Sequence, residues 1–183
     1  MDTNKALIHE LENGGIAVIP TDTLYGIVAS TLKPQAVEKV YQLRRRSPAK
    51  PCIILISDQS QLETLGIHVD AYQQKVLDQY WPGPVSMILS TTLDASYLHR
   101  GTKTLAVRLP NNDILRQVIR QTGPLIAPSA NLEGHSPAIT IREAHTYFAD
   151  TVGTYIDGGT LQGKPSGLID ITKSAPKIIR PLI

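Results

Sequence analysis

The sequence predicts an α/β chain built on one mostly buried, mixed sheet with flanking helices. Three observations carry this. Short apolar runs such as Ile16-Ala17-Val18-Ile19, Cys52-Ile53-Ile54-Leu55-Ile56 and Leu105-Ala106-Val107 lack the polar alternation of a strand wetted on one face. Between them lie segments with apolar residues at helical spacing, and glycine or proline punctuates most junctions. At 183 residues, 42% apolar and 19% charged, the chain has the composition of a globular protein and is long enough to bury a core without disulfide staples.

The elements follow in order. Asp2 or Thr3 can cap a first helix with Leu7 and Leu11 on one face, stopped by Gly14-Gly15. The strand 16–19 ends at Pro20, and Pro20-Thr21-Asp22-Thr23-Leu24-Tyr25-Gly26 is read as its exit into a loop. Pro34 suits the first turn of a helix bearing Val37, Val40 and Tyr41. A strand at 52–56 precedes a helix opened by Asp58 and another around 70–80. Trp81-Pro82-Gly83-Pro84 breaks that helix as a rigid packed turn and leads into a strand at 85–90. After a strand at 104–108 comes a helix with Ile114, Leu115, Val118 and Ile119, stopped by Gly123-Pro124. The short strand Leu125-Ile126-Ala127 meets Pro128, and Thr140-Ile141-Arg142-Glu143 is a capping-box pattern for a further helix. Short strands at 152–156, 168–171 and 177–180 complete the chain. No repeat, low-complexity tract or linker interrupts it, so residues 1–183 are expected to form one domain without a C-terminal extension domain.

Several function classes are disfavoured. A net charge of +2 gives no global field for nucleic acid or membrane, and the apolar runs are too short to span a bilayer. The single Cys52 cannot form an intramolecular disulfide and, set in an apolar run, is expected to be a structural thiol. With no signal-like N-terminus, a cytoplasmic location is expected. Gly158-Gly159-Thr160-Leu161-Gln162-Gly163-Lys164 imitates a phosphate loop, but position 165 is proline and a strand, not a helix, follows. Ser47-Pro48-Ala49-Lys50 matches Ser-x-x-Lys of acylating enzymes without its companion motifs. The five histidines show no metal-ligand spacing.

What remains is a set of anion-directed groups at strand ends. Thr21, Asp22 and Thr23 follow one strand, and Ser129 and Asn131 follow another with the same strand-proline-polar layout; two such ends can line one crevice. They are equally ordinary turn residues. Arg44-Arg45-Arg46 with Lys50 is the densest positive cluster, either a solvated charge run closing a helix or an anion site. Arg108, finishing a strand, and Arg180 near the C-terminus each call for a carboxylate or phosphate partner, internal or bound.

Taken in order, these segments resemble the YrdC-like family of threonylcarbamoyl-AMP synthases, TsaC type. The likeness runs through Gly14-Gly15, residues 20–26, Arg44-x-Arg46 with Lys50-Pro51, and Trp81-Pro82-Gly83-Pro84. It continues through Leu105-Ala106-Val107-Arg108-Leu109-Pro110, Pro128-Ser129-Ala130-Asn131-Leu132, and Asp157-Gly158-Gly159 followed by Ser166. The resemblance implies an open, twisted sheet with a basic concave face, and an enzyme joining L-threonine, bicarbonate and ATP, with Mg2+, into threonylcarbamoyl-AMP and pyrophosphate. Partner proteins would pass the threonylcarbamoyl group to tRNA. By the same resemblance Arg44, Arg46, Lys50, Thr104, Ser129, Asn131 and Arg180 would bind ATP, while Thr23, Arg108, Ala127 and Ser166 would hold threonine. Arg46, Lys50 and Arg108 would carry catalysis, and no protein side chain would ligate a metal.

Some positions depart from the family pattern: Arg44 for a common lysine, Leu55 where some relatives have histidine, Pro137 where Ser or Thr is frequent, and Pro165-Ser166-Gly167 in place of Glu-Ser-Thr. The fold the resemblance implies leaves open a double-stranded RNA or tRNA-binding module and a hydrogenase-maturation-type adenylating domain. The departures at 55, 137 and 165–167 leave open a divergent paralogue with altered nucleotidyltransferase activity.

Overall fold

Alternation along the strands divides the apolar residues between two faces of a single sheet, and helices seal the two faces unequally. In a computed structural model that describes residues 3–161 and 163–182, the first half of the chain comprises α1 (Thr3–Glu12), β1 (Ala17–Pro20), β2 (Tyr25–Ser30), α2 (Pro34–Arg44), β3 (Ile53–Leu55), α3 (Gln61–Thr64), α4 (Ala71–Tyr80) and β4 (Val85–Ser90). The second half adds α5 (Ser96–His99), β5 (Thr104–Arg108), α6 (Asp113–Thr122), β6 (Leu125–Ile126), α7 (Ile141–Phe148), β7 (Thr154–Tyr155), β8 (Gly167–Asp170) and β9 (Lys177–Arg180). The strands form one sheet in the order β7-β1-β2-β6-β3-β5-β4-β8-β9. Pairs β1/β7, β3/β5 and β4/β8 are parallel and the other neighbours antiparallel, so the sheet is mixed as expected.

On one face Val18, Tyr25, Ile27, Ile54, Met87 and Val107 meet Val37 and Val40 of α2, Leu77 of α4 and Phe148 of α7 in the larger core. On the other, Ala17, Ile19, Val28, Leu55 and Leu125 are covered by Leu7 and Leu11 of α1 and by Leu115, Val118 and Ile119 of α6. That second cluster takes no residue from β4, β5 or β8. Ala106 and Arg108, which alternate with Val107 on β5, therefore look onto a face with no helix over it. The cleft described below occupies this gap.

Local signals account for most element ends. Gly14, at φ +79°, supplies the left-handed turn after α1, and the Gly15 N–H returns to the Glu10 carbonyl at 2.8 Å. Asp70 and Gln73 form a complete capping box on α4, and Asn112 caps α6 through Leu115 N at 3.0 Å. Thr140 caps α7 as expected, but the Glu143 carboxylate accepts from Ile139 N rather than from the cap residue. Trp81 is buried and its indole N–H donates to the Val85 carbonyl at 2.8 Å, which makes residues 81–85 the packed turn the sequence predicts.

One expectation is corrected. Residues 20–26 do not leave the sheet: β1 and β2 pair antiparallel from Ala17↔Val28 to Pro20↔Tyr25, so this segment is a tight hairpin. All six residues of β2 are buried, which erases the alternation that would have marked it. Of the four apolar residues that the sequence gives to α6, Ile114 does not join the core and is 61% exposed; Leu115, Val118, Ile119 and Thr122 form the buried stripe. Asp2, one of the expected caps, lies outside the described residues. Among the described residues no helix is long and apolar enough to cross a membrane.

Burial predicts where substitutions are felt. Ile54→Ala, in the middle of the sheet and 1% exposed, should cost about 2–5 kcal/mol in urea unfolding, whereas Ile178→Ala on edge strand β9, 66% exposed, should change stability by no more than about 0.5 kcal/mol.

Candidate active site

The gap on the second face forms a cleft of about 230 Å³. Its floor includes Ile53 and Ala106, side by side in the β3/β5 register. Around it stand the hairpin turn, the residues after β6, the loop after α2, the approach to β8, and Arg180 from β9.

Thr21 builds the turn. Its hydroxyl donates to the Leu24 carbonyl at 2.7 Å, accepts from the Thr23 and Leu24 N–H groups, and lies 3.0 Å from the Thr23 hydroxyl. The second strand exit lies against this hairpin: Ile27 N donates to the Pro128 carbonyl at 3.0 Å, Ala130 N to the Tyr25 carbonyl at 2.8 Å, and Ser129 bridges to Gly26. The two polar strand ends singled out in the sequence therefore share one wall. From the turn, Asp22 reaches Arg108: Oδ1 accepts from Nη1 at 2.7 Å, while Oδ2 accepts from Asn111 N at 3.0 Å. Both side chains are nearly buried. Burial pushes the Arg108 pKa down, Asp22 works against that, and Arg180 adds to the depression.

The arginine run is sorted by the end of α2. Arg45 takes the left-handed conformation (φ 51°), and Arg46 N bonds back to the Tyr41 carbonyl at 2.9 Å. Arg44 is thereby directed inward, Arg45 lies exposed, and Arg46 reaches the rim of the cleft. Arg44 is 3% exposed; its Nε donates to the Asn131 carbonyl and its Nη2 to Asn131 Oδ1, both at 3.0 Å, while Nη1 is buried with no partner. Burial, then the neighbouring Arg46, lowers its pKa. Arg46 is braced by the Lys50 and Pro51 carbonyls at 3.1 and 3.0 Å.

Opposite, Arg180 Nε donates to the Ser166 carbonyl at 2.7 Å and Nη2 to the Ser166 hydroxyl at 3.3 Å; that hydroxyl also shares a hydrogen bond with Ser86 at 3.0 Å. Burial lowers the Arg180 pKa too. The segment leading to Ser166 lies close over the hairpin. Tyr25 OH donates to the Gly159 carbonyl at 2.8 Å and accepts from Gly158 N at 2.9 Å. A side-chain carbon on Gly163 would sit 1.6 Å from the Thr23 carbonyl oxygen, so only glycine fits there.

The structure gathers Thr23, Arg44, Arg46, Arg108, Ala127, Ser129, Ser166 and Arg180 around this cleft. Three expected residues are not in its lining. Asn131 stands behind it, accepting from Arg44 and from Ser129 Oγ (2.7 Å) and donating to the Leu132 and His135 carbonyls. Lys50 is on the outer rim with its side chain 63% exposed. Thr104 begins β5, about 13 Å along the strand from Arg108, and bonds to Thr102. Leu55 is fully buried under α1 and α6. Sequence reasoning missed the Asp22–Arg108 pair and the Tyr25 anchor, and neither has a local signal.

A profile of the Sua5, YciO and YrdC proteins, described as "Telomere recombination", matches residues 9–181. The chain belongs to the Sua5/YciO/YrdC family. A threonylcarbamoyl-AMP synthase of Methylobacillus flagellatus is 31% identical over 97% of this chain and 98% of the relative. Among solved structures, P. abyssi Sua5 complexed with L-threonine superposes with a TM-score of 0.91 at 29% identity, covering 97% of this chain and 53% of that one. E. coli YciO superposes with a TM-score of 0.87 at 26% identity, covering 97% and 87%. The chain spans about half the length of the Pyrococcus abyssi and Bacillus subtilis relatives it matches, 51% in each case. The nine-stranded mixed sheet is thus the YrdC-like fold, and the cleft is the feature of this Sua5/YciO/YrdC chain that calls for a ligand.

The buried ion pair gives a direct test. Asp22→Ala leaves the Arg108 charge buried without its partner and should destabilise the protein by roughly 3–5 kcal/mol. Adding Arg108→Leu should recover part of that loss in chemical denaturation, because the apolar replacement removes the stranded charge.

Proposed function

We propose that this chain is a threonylcarbamoyl-AMP synthase, forming threonylcarbamoyl-AMP and pyrophosphate from L-threonine, bicarbonate and ATP. One observation carries the reading: among the described residues four arginines and no carboxylate line the cleft, and burial lowers the pKa of three of those arginines. Such a cleft is electrostatically incomplete until a polyanion enters. It also offers no activated protein nucleophile. The Cys52 thiol is 3% exposed and burial pushes its pKa up.

The proposed chemistry needs none. Threonine's amine condenses with bicarbonate to a carbamate, losing water. A carbamate oxygen then attacks the α-phosphorus of ATP and pyrophosphate departs. Catalysis of this kind is positioning and charge neutralisation. Arg108, steadied at one corner by Asp22, would pair the threonine carboxylate, with Thr23, Ser166 and the Ala127 backbone beside it. Arg44, Arg46 and Arg180 would face the triphosphate, with Ser129 adjoining, Asn131 fixing Arg44 from behind, and Lys50 and Thr104 reaching outlying parts of the nucleotide. Mg2+ bound to the triphosphate would offset more of its charge. The product would pass through partner proteins to tRNA in the cytoplasm. The threonine complex and the synthase name of the relatives support this assignment, as does a lining drawn from the same segments that carry the family resemblance.

Incubation with ATP, Mg2+, bicarbonate and labelled threonine should release pyrophosphate only when threonine is present, with a threonine-dependent adenylate as the other product. Pyrophosphate release that ignores threonine would refute the assignment. The two halves of the cleft should also separate kinetically. Arg108→Ala should raise the threonine KM by roughly tenfold or more, and Arg46→Ala should do so for ATP, as expected for loss of a charge-assisted contact.

A further inference from the structure

Lys50 is already engaged. The loop after α2 turns its carbonyls one way and its donors the other. Arg46 holds the Lys50 and Pro51 carbonyls, and Tyr41 OH donates to the Lys50 carbonyl at 3.0 Å. The donors point to Glu133: Ser47 N donates to Oε2 at 2.7 Å and Lys50 Nζ to Oε1 at 2.8 Å. A backbone N–H and an ammonium gripping two oxygens of one anion is the pairing that loops use for phosphate. Here the anion belongs to the chain itself.

We propose that Glu133 is an internal counter-anion that occupies a phosphate position on the 46–51 loop and gives up Lys50 when the triphosphate binds, so that this residue sets the affinity for ATP. The inference rests on the synthase assignment above. Three further observations support it. Glu133 is delivered to this place by the cleft's own framework, since its N–H donates to the Arg44 carbonyl at 2.8 Å, two residues after Asn131 grips the Arg44 side chain. Lys50 and the Ser47 N–H hold its carboxyl below the usual carboxylate range, with Arg46 adding to this, so it is ionised at neutral pH. The Lys50 and Glu133 side chains are 63% and 28% exposed, and an ion pair this open is weak. A ligand with several anionic oxygens can therefore displace it, whereas a stronger pair would close the site. Glu133 thus has two opposed effects. It orders the loop in the empty protein, and it competes with the incoming phosphates for Lys50.

The test uses titration calorimetry with ATP and, separately, with inorganic tripolyphosphate, on the full chain and on E133Q. The glutamine can keep accepting from Ser47 N–H through its amide oxygen, so the loop stays ordered while the competing charge is gone; thermal melts check that the fold is unchanged. E133Q should bind both ligands roughly three- to tenfold more tightly, the gain expected when one exposed charge pair no longer has to be broken. In kinetics the ATP KM should fall by a similar factor while the threonine KM stays put. In a Lys50→Met background the E133Q gain should vanish, because the competition is for Lys50. Weaker or unchanged ligand binding in E133Q, or an equal gain without Lys50, would overturn the proposal. Should the wild-type chain bind tripolyphosphate but not ATP, the synthase assignment fails and the E133Q comparison on tripolyphosphate still decides this one. Binding of neither ligand overturns both.

Discussion

The contact on which the cleft most depends is the buried pair between Asp22 and Arg108. It joins the tip of the β1–β2 hairpin to the end of β5, across the two intervening strands β6 and β3. Desolvating two charges is expensive, and a single close contact seldom makes the exchange favourable by itself. Asp22 gains a second bond from Asn111 N, and Thr21 locks the turn that aims it. The pair is therefore better understood as a positioning device than as a source of stability. It fixes the separation of the two walls and leaves one arginine oriented at their junction.

The other arginines extend the same logic. Arg44 and Arg180 are each held by carbonyl and hydroxyl or amide oxygens instead of carboxylates. Neutral acceptors orient a guanidinium without cancelling its charge. The field in the cleft is thus preserved for a ligand, at the cost of burying cations that lack counter-charges. Among the described residues, the acids that act on the arginines of the cleft stand at its margins: Asp22 pairs with Arg108, and Glu133 bears on Arg44 and Arg46. The unpartnered Nη1 of Arg44 belongs to the same pattern.

Much of this was legible in the sequence because it is local. A proline followed by small polar residues marks the end of a strand, and both such ends, at Pro20 and Pro128, reached the cleft. Arginines at the end of a helix or strand announced the charge. What stayed hidden is non-local or doubly buried. β2 went unrecognised because covering both faces removes period-two alternation, and the partner of Arg108 lies 86 residues away. Nor could spacing reveal that Lys50 would turn outward to Glu133, since that depends on a left-handed residue, Arg45, reversing the chain.

The lining also has a temporal meaning. Its residues run from Thr21 to Arg180, so nearly the whole chain must be synthesised before the cleft exists. A nascent chain that has completed β5 already carries the hairpin, the arginine-bearing loop and Arg108, but neither Ser129 nor the Ser166–Arg180 clamp. Such a chain also lacks Asn131 and Glu133, the partners of Arg44 and Lys50, while the Asp22–Arg108 pair is already complete. Competence arrives only with β9, whose arginine bonds back to the start of β8 and closes the far wall.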